Sequence, residues 1–165
     1  MIKKTMLFFL CYWVLSAALC ASVHVGRVVG VYDGDTLTLL DAEKQQVKVR
    51  LSEIDTPELG QPYGRQAKWA LSDLVFGKTV TVNVQNTDRY GRHVGRVYVD
   101  TLDVNAEMVR QGAAWVYRQY ARDKQLYVLE TQAKKAKQGL WGLSETERMP
   151  PWEWRRMRQH KTKKH

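Results

Sequence analysis

VHVGRVVGVYDGDTLTLLDAEKQQVKVRL (Val23–Leu51) is the stretch of this chain that decides its fold. Apolar and polar residues largely alternate over residues 23–32, 37–40 and 46–51, and a period of two is typical of β-strands. Turns are predicted between these strands at Asp33-Gly34 and at Asp41–Lys44, where turn-forming residues stand. The first part of the chain is therefore predicted to be β-structure.

Beyond this stretch, the sequence predicts two more strands and about three helices. The strands are Thr79–Val84 and Val94–Tyr98. The helices, each followed closely by a glycine that ends it, are Pro62–Phe76, Asn105–Gln111 and Asp123–Gln138. Five short strands with helices inserted and appended predict an α+β fold built on a small barrel. A chain of 165 residues is too short for two ordinary domains, so one domain over residues 22–148 is expected.

Residues 1–21 are set apart from this domain and have the pattern of a secretory signal peptide. Lys3 and Lys4 precede an apolar run over residues 6–19, and small residues such as Ala21 stand near its end. An uncleaved membrane anchor is the alternative, but the run is shorter than the roughly 20 residues that span a bilayer. We therefore expect a bacterial periplasmic or secreted protein with no stable membrane association after cleavage.

The positions of the cysteines and the distribution of charge give further information about the mature protein. Cys11 and Cys20 both belong to the predicted signal peptide, so the mature fold must stand without a disulfide framework. Loss of residues 1–21 removes two lysines and no acid, which lowers the formal charge from +9 to +7. Six basic residues and no acid fall within residues 155–165, at the end of a Trp/Pro segment and basic tail that spans residues 149–165. Such a tail is either a solvated terminus or a tether for nucleic acid.

Three short segments carry the chemistry: Asp33-Gly34-Asp35-Thr36, Arg50-Leu51-Ser52-Glu53-Ile54-Asp55-Thr56-Pro57-Glu58 and Asp88-Arg89-Tyr90-Gly91-Arg92. They interleave carboxylates that can hold a hard cation with guanidinium groups that can grip a phosphate. Carboxylates crowded into one site resist ionising together unless a metal or an arginine supplies the opposite charge. The set is typical of a metal-assisted phosphodiesterase. Asp33 itself fits a turn residue better than a ligand, because Asp-Gly favours tight turns.

In this order, with a barrel pattern between them, the segments resemble the thermonuclease family, also called micrococcal or staphylococcal-nuclease-like. The resemblance covers roughly Val23–Trp141 and includes Val109-Arg110-Gln111-Gly112. It implies a five-stranded OB-fold barrel and a calcium-dependent endonuclease. Such an enzyme hydrolyses phosphodiester bonds of DNA and RNA with little sequence specificity and leaves 3′-phosphate ends. DNA and RNA are then the partners, no protein partner is expected, and the chain is expected to be a monomer.

The resemblance also assigns roles to residues. Asp35 and Asp55 would bind Ca²⁺ through their carboxylates and Thr56 through its backbone carbonyl, an oxygen-only set that suits this ion. Glu58 matches the glutamate that orients or deprotonates the attacking water. The two arginines that grip the scissile phosphate correspond to Arg50 and Arg92.

Substrate contacts outside the scissile phosphate are assigned to four more residues: Arg89, Tyr90, Tyr117 and Tyr120. Arg89 stands where the family usually has a lysine, and the spacing does not decide which of the two later tyrosines is the equivalent one. The chain departs from the family over residues 59–65, where the loop is shorter and has no clear counterpart for a substrate lysine.

Two other classes of function are alternatives to an enzyme. A non-catalytic OB-fold module would grip nucleic acid without cutting it, but pure binding needs no acids at the contact surface of a polyanion. A secreted basic protein that adheres to anionic surfaces through its tail would leave the three segments without a role.

Overall fold

The computed structural model describes residues 22–162, so the predicted signal peptide and both cysteines lie outside the described residues. Within that range the chain forms eight strands and four α-helices. The strands are β1 (Ser22–Val31), β2 (Thr36–Leu40), β3 (Gln46–Leu51), β4 (Ile54–Asp55), β5 (Thr79–Thr87), β6 (His93–Val99), β7 (Leu102–Asp103) and β8 (Trp115–Val116). The helices are α1 (Gly64–Val75), α2 (Val104–Arg110), α3 (Lys124–Lys135) and α4 (Pro151–Thr162), with a short 3₁₀ turn at Gly139–Gly142. None of the helices in residues 22–162 is long and apolar enough to cross a bilayer.

Five of the strands close into a barrel. Neighbours in the order β3-β2-β1-β5-β6 pair antiparallel. The two ends of this sheet then meet, because β3 and β6 pair in parallel with Arg50 opposite Val94 and Leu51 opposite Gly95. The predicted α+β fold with a five-stranded OB-fold barrel is confirmed.

Alternating side chains of the strands fill the barrel. Leu37 and Leu39 of β2 and Val49 and Leu51 of β3 point inward and are fully buried. The apolar face of α1 packs on the same core through Leu71 and Val75. The period-two and period-3.6 patterns of the sequence therefore correspond to a single core.

Helix ends follow local capping chemistry. The Asp103 carboxylate accepts a hydrogen bond from Ala106 N at 2.9 Å and starts α2, and the Asp123 carboxylate accepts from Gln125 N at 2.9 Å and starts α3. The three predicted helices are confirmed with small shifts of their ends. The fourth helix, α4, was not predicted: it begins at Pro151, whose fixed φ and missing N–H suit the first helical position.

The three motif segments lie on one rim of the barrel. The register places Thr36 of β2 opposite Arg50 of β3, and Arg50 in turn opposite Val94 of β6. Residues 88–92 form the turn that joins β5 to β6 at the same rim. Gly34 allows the first segment to cross the second, because a Cβ there would lie 2.7 Å from the Thr56 hydroxyl. Strand register thus brings together candidate site residues that are far apart in the sequence.

Candidate active site

A groove of about 2250 Å³ runs along this rim. Its lining includes every residue to which the sequence assigns a site role, namely Asp35, Arg50, Asp55, Thr56, Glu58, Arg89, Tyr90, Arg92, Tyr117 and Tyr120. The fold therefore brings the predicted metal, catalytic and substrate residues together at one surface.

Two buried carboxylates form the floor of the groove. Asp35 and Asp55 are 5% and 1% exposed. The Arg50 guanidinium bridges them, with Nη2 at 2.9 Å from Asp55 Oδ1 and 3.3 Å from Asp35 Oδ2. Thr56 lies against the same pair, because its backbone N–H donates to Asp35 Oδ2 at 3.1 Å. Asp35, Asp55 and Thr56 thus form one compact cluster.

The acidic cluster carries more negative charge than Arg50 offsets. Burial raises the pKa of Asp55 to about 6, against the hydrogen bond from Arg155 and with the charge of Asp35 adding to the rise. Burial and Asp35 likewise raise the pKa of Asp33, at the edge of the cluster, to about 6. Burial and mutual repulsion thus make these two carboxyls harder to ionise than exposed ones.

The donor chemistry of this cluster fits a hard divalent cation. Two carboxylates and a nearby backbone carbonyl are oxygen donors of the type that Ca²⁺ accepts in flexible geometry. Among the residues that the structure describes, no three His, Cys, Asp or Glu side chains are grouped as a metal cluster. A cation held by only two carboxylates and one carbonyl would need substrate or water oxygens to complete its shell.

Asp33 serves the local turn. Its Oδ1 accepts a hydrogen bond from Asp35 N at 3.0 Å, which closes an Asx turn just before β2. This contact agrees with the turn role predicted for an Asp-Gly pair.

Glu58 follows β4 and is about one third exposed in the groove, its side chain at 34%. Gln61 fixes the loop behind it: the Gln61 side-chain carbonyl accepts from Glu58 N at 3.1 Å, and Glu58 O accepts from Gln61 N at 2.8 Å. Gln61 is itself buried. Residues 58–61 thus form an internally bonded turn that presents Glu58 to the groove.

Arg92 is oriented by the turn that carries it. Its Nε and Nη2 both lie 2.8 Å from Asp88 Oδ2, and its Nη1 lies 3.3 Å from the Thr36 hydroxyl. The other oxygen of Asp88 accepts the backbone N–H groups of Tyr90 and Arg92. Asp88 therefore caps the turn, as its position suggests, and also aims the Arg92 guanidinium.

The residues assigned to substrate differ in how open they are. Arg89 and Tyr90 are exposed, and the Arg89 guanidinium donates to the Tyr90 hydroxyl at 2.7 Å. Tyr117 and Tyr120 contact each other edge to face at 4.9 Å between ring centroids. One face of Tyr117 is covered by Trp152 of α4, stacked at 5.5 Å, whereas Tyr120 is 57% exposed. The structure distinguishes the two tyrosines where their spacing does not: Tyr120 is the more accessible.

A partly buried ion network, not found from the sequence, holds the loop that carries these tyrosines. Glu53, in the left-handed region at φ 64°, accepts the backbone N–H groups of Arg122 and Asp123 through Oε1. Its Oε2 accepts from Arg96, which also pairs with Asp103 and Asp123 at 2.8 Å each. Glu53 lies between Arg50 and Asp55 in the sequence, so it fixes the loop at residues 117–123 relative to the carboxylates.

Arg155 is the second residue that sequence reasoning missed. The sequence interpretation assigned it to a basic tail and placed no catalytic candidate beyond Tyr120, but the structure puts its guanidinium inside the groove. Nη2 lies 2.7 Å from Asp55 Oδ2, and Nη1 lies 2.7 Å from Glu58 Oε1 and 3.2 Å from Asp55 Oδ1. The only sequence signal was the Pro- and Trp-rich segment just before it, which could have been taken as an anchored helix start.

Comparison with known proteins agrees with this geometry. The family profile described as "Staphylococcal nuclease homologue" matches residues 48–143. An "Uncharacterized endonuclease" of Escherichia coli O157:H7 is 51% identical over 138 residues, which cover 83% of this chain and 88% of that protein. The "Micrococcal nuclease" of Shigella flexneri is 40% identical over 148 residues, covering 83% of each chain. An "Uncharacterized endonuclease" of Haemophilus influenzae is 42% identical over 130 residues, covering 79% of this chain and 72% of that protein.

The five-stranded barrel is closed and carries carboxylates and arginines on its rim. Because the chain is also similar to nucleases over most of its length, it is a nuclease built on the OB fold. This chain belongs to the staphylococcal nuclease family. The range matched by the family profile contains every predicted site residue except Asp35, and it ends before Arg155 and α4.

Proposed function

We propose that this nuclease is a secreted, calcium-dependent endonuclease that cuts DNA and RNA with little sequence specificity and leaves 3′-phosphate ends. The observation that carries the proposal is the groove floor, where Arg50 bridges the buried Asp35 and Asp55 beside Glu58 and Arg92. A binding module needs no such buried acids at its contact with a polyanion, which favours hydrolysis over binding alone.

Asp35, Asp55 and the Thr56 carbonyl would hold the cation. When bound, Ca²⁺ supplies Lewis-acid stabilisation of the negative charge on the phosphoryl oxygens. Arg50 already contacts both carboxylates, so the residues of the cation site and one phosphate-binding arginine are positioned by the same contacts.

Glu58 is proposed to accept a proton from the attacking water, since its carboxylate is the only one of the predicted set that is substantially open to the groove. Arg92 would offer its guanidinium to the phosphoryl oxygens from the opposite segment. The water oxygen bonds to phosphorus, the bond from phosphorus to the 5′-oxygen breaks, and the departing 5′-oxygen takes up a proton from solvent. The phosphate therefore stays on the 3′ side and a 5′-hydroxyl is released.

The metal requirement is tested with the purified chain on circular plasmid DNA and on single-stranded RNA, in excess chelator, in Ca²⁺ and in Mg²⁺. We expect no cutting in chelator, full recovery with Ca²⁺, and weak support by Mg²⁺, which demands stricter octahedral geometry. Circular DNA reports endonuclease cuts because it has no ends. Fragments of a labelled oligonucleotide should be extended by a polymerase only after phosphatase treatment, as 3′-phosphate ends require. Undiminished cutting in chelator would contradict the proposal.

Export is proposed from the sequence of residues 1–21 alone. Mass analysis of the protein recovered from the periplasm or the medium of an expressing bacterium should give a new N-terminus between Leu19 and Ser22. As a control, a variant with Lys3 and Lys4 changed to glutamate should accumulate in the uncleaved form, because the basic n-region is lost. Recovery of the intact chain beginning at Met1 from the membrane fraction would instead support an anchor.

A further inference from the structure

The C-terminal helix α4 brings a second arginine, after Arg50, to the acidic cluster. The Arg155 fork contacts both oxygens of Asp55, and one of its nitrogens also contacts Glu58 Oε1 at 2.7 Å. Charge-assisted, two-pronged contacts of this kind are among the stronger hydrogen bonds in proteins. One guanidinium thus engages a predicted metal ligand and the predicted general base at once.

The position of α4 is fixed by contacts that do not involve the carboxylates. Trp152 stacks in parallel on Tyr117 and meets Trp115 edge to face at 5.9 Å. Pro151 is buried, and the Gln61 side chain donates to the Met149 carbonyl just before the helix. Gln61 is also the residue that fixes the Glu58 loop. The start of α4 and the loop that carries Glu58 are therefore packed together, and this packing places Arg155 in the groove.

We propose that Arg155 occupies the place of the cation in the metal-free enzyme, so that a divalent ion binds Asp55 only by displacing the Arg155 guanidinium. This inference rests on the proposed calcium dependence and adds a residue that sets the affinity for the ion.

The charges of the site explain why a divalent ion and Arg155 would compete for Asp55. Asp55 Oδ1 is shared by Arg50 and Arg155, and Asp55 Oδ2 accepts from Arg155. A divalent cation and a guanidinium at the same two oxygens would repel each other and compete for the same lone pairs. The same displacement frees Glu58, so metal binding and release of the general base become one event. In the metal-free state, Glu58 is paired and the site is held inactive.

The site also provides a matched control. Arg156 is the next residue of α4 and carries the same charge, but its side chain is exposed and is not part of the groove lining. Arg156→Gln therefore removes one positive charge from the same helix without touching the carboxylates. Arg155→Lys is a second variant, because it keeps the charge and loses the fork.

The experiment is calorimetric titration of the metal-free full chain with CaCl₂, comparing wild type, R155Q, R155K and R156Q, with circular dichroism to confirm that each is folded. We expect R155Q to bind Ca²⁺ at least about tenfold more tightly than wild type, as loss of a competing charge-assisted contact predicts. R155K should fall between them, and R156Q should stay within about twofold of wild type, because an exposed charge contributes little.

Equal or weaker Ca²⁺ binding by R155Q and R155K would overturn the inference. In that case, a wild-type enzyme that still cuts DNA in Ca²⁺ and not in chelator would leave the proposed function intact. A chain in which neither wild type nor R155Q takes up Ca²⁺, and which cuts equally well in chelator, would overturn both.

Discussion

Glu58→Gln is expected to lower turnover by at least about 100-fold while nucleic-acid affinity stays within a few-fold of wild type. Glutamine keeps the volume of the side chain and an oxygen that can accept from Arg155, so the loop and α4 should remain in place. What it loses is the basicity needed to take a proton from water. Turnover on DNA and affinity for a labelled single-stranded oligonucleotide, measured by fluorescence anisotropy in Ca²⁺, separate the two effects.

Glu43→Gln is the control for this substitution, since Glu43 is an exposed glutamate of the β2–β3 turn and lies outside the groove. It should behave as wild type in both assays. A turnover of Glu58→Gln equal to that of the control would exclude Glu58 both as a base and as the residue that orients the water.

Arg92→Lys is expected to cause the second large loss of turnover. Removing one properly aimed donor from a developing negative charge costs about 10²–10³ in turnover. Lysine keeps the charge, but it loses the planar fork that contacts Asp88 twice and reaches Thr36 with a third nitrogen. The loss should therefore fall mainly on kcat, with a much smaller change in KM.

Arg89→Lys is the matched comparison, because Arg89 belongs to the same turn and is exposed, and because the family resemblance implies a lysine at this position. It should keep turnover within a few-fold of wild type, consistent with a contact to a neighbouring phosphate. If both variants lose activity equally, the fork of Arg92 has no special part in the reaction and the two residues supply only charge.

The family resemblance assigned the roles of the site residues, and local chemistry explains why those residues meet. Asp35, Asp55 and Glu58 are short side chains on segments with fixed turns, so their order along the chain determines where they lie once the barrel closes. The same holds for Arg92, whose guanidinium is oriented by Asp88 four residues earlier. In each case the residue and the group that aims it lie within one segment or on paired strands.

The two missed features depend on partners far away in the sequence. Arg155 contacts Asp55 across 100 positions, and Glu53 contacts the backbone of Asp123 across 70. Apart from the Pro- and Trp-rich segment just before it, nothing in the sequence distinguishes Arg155 from the basic residues that follow it, so it resembles part of a solvated tail. Helix α4 is stabilised by Trp152 on Tyr117, a tertiary contact with no local signature.

The order of these parts along the chain bears on how the enzyme is made. Asp35, Asp55 and Glu58 all precede β5, whereas the strand that closes the barrel, β6, begins only at His93, and the loop held by Glu53 comes after residue 116. A nascent chain that has emerged only through β5 carries Asp35, Asp55 and Glu58 but lacks β6 and the loop at residues 117–123, which also line the groove. Assembly of the groove therefore depends on segments that are synthesised after all three of these carboxylates.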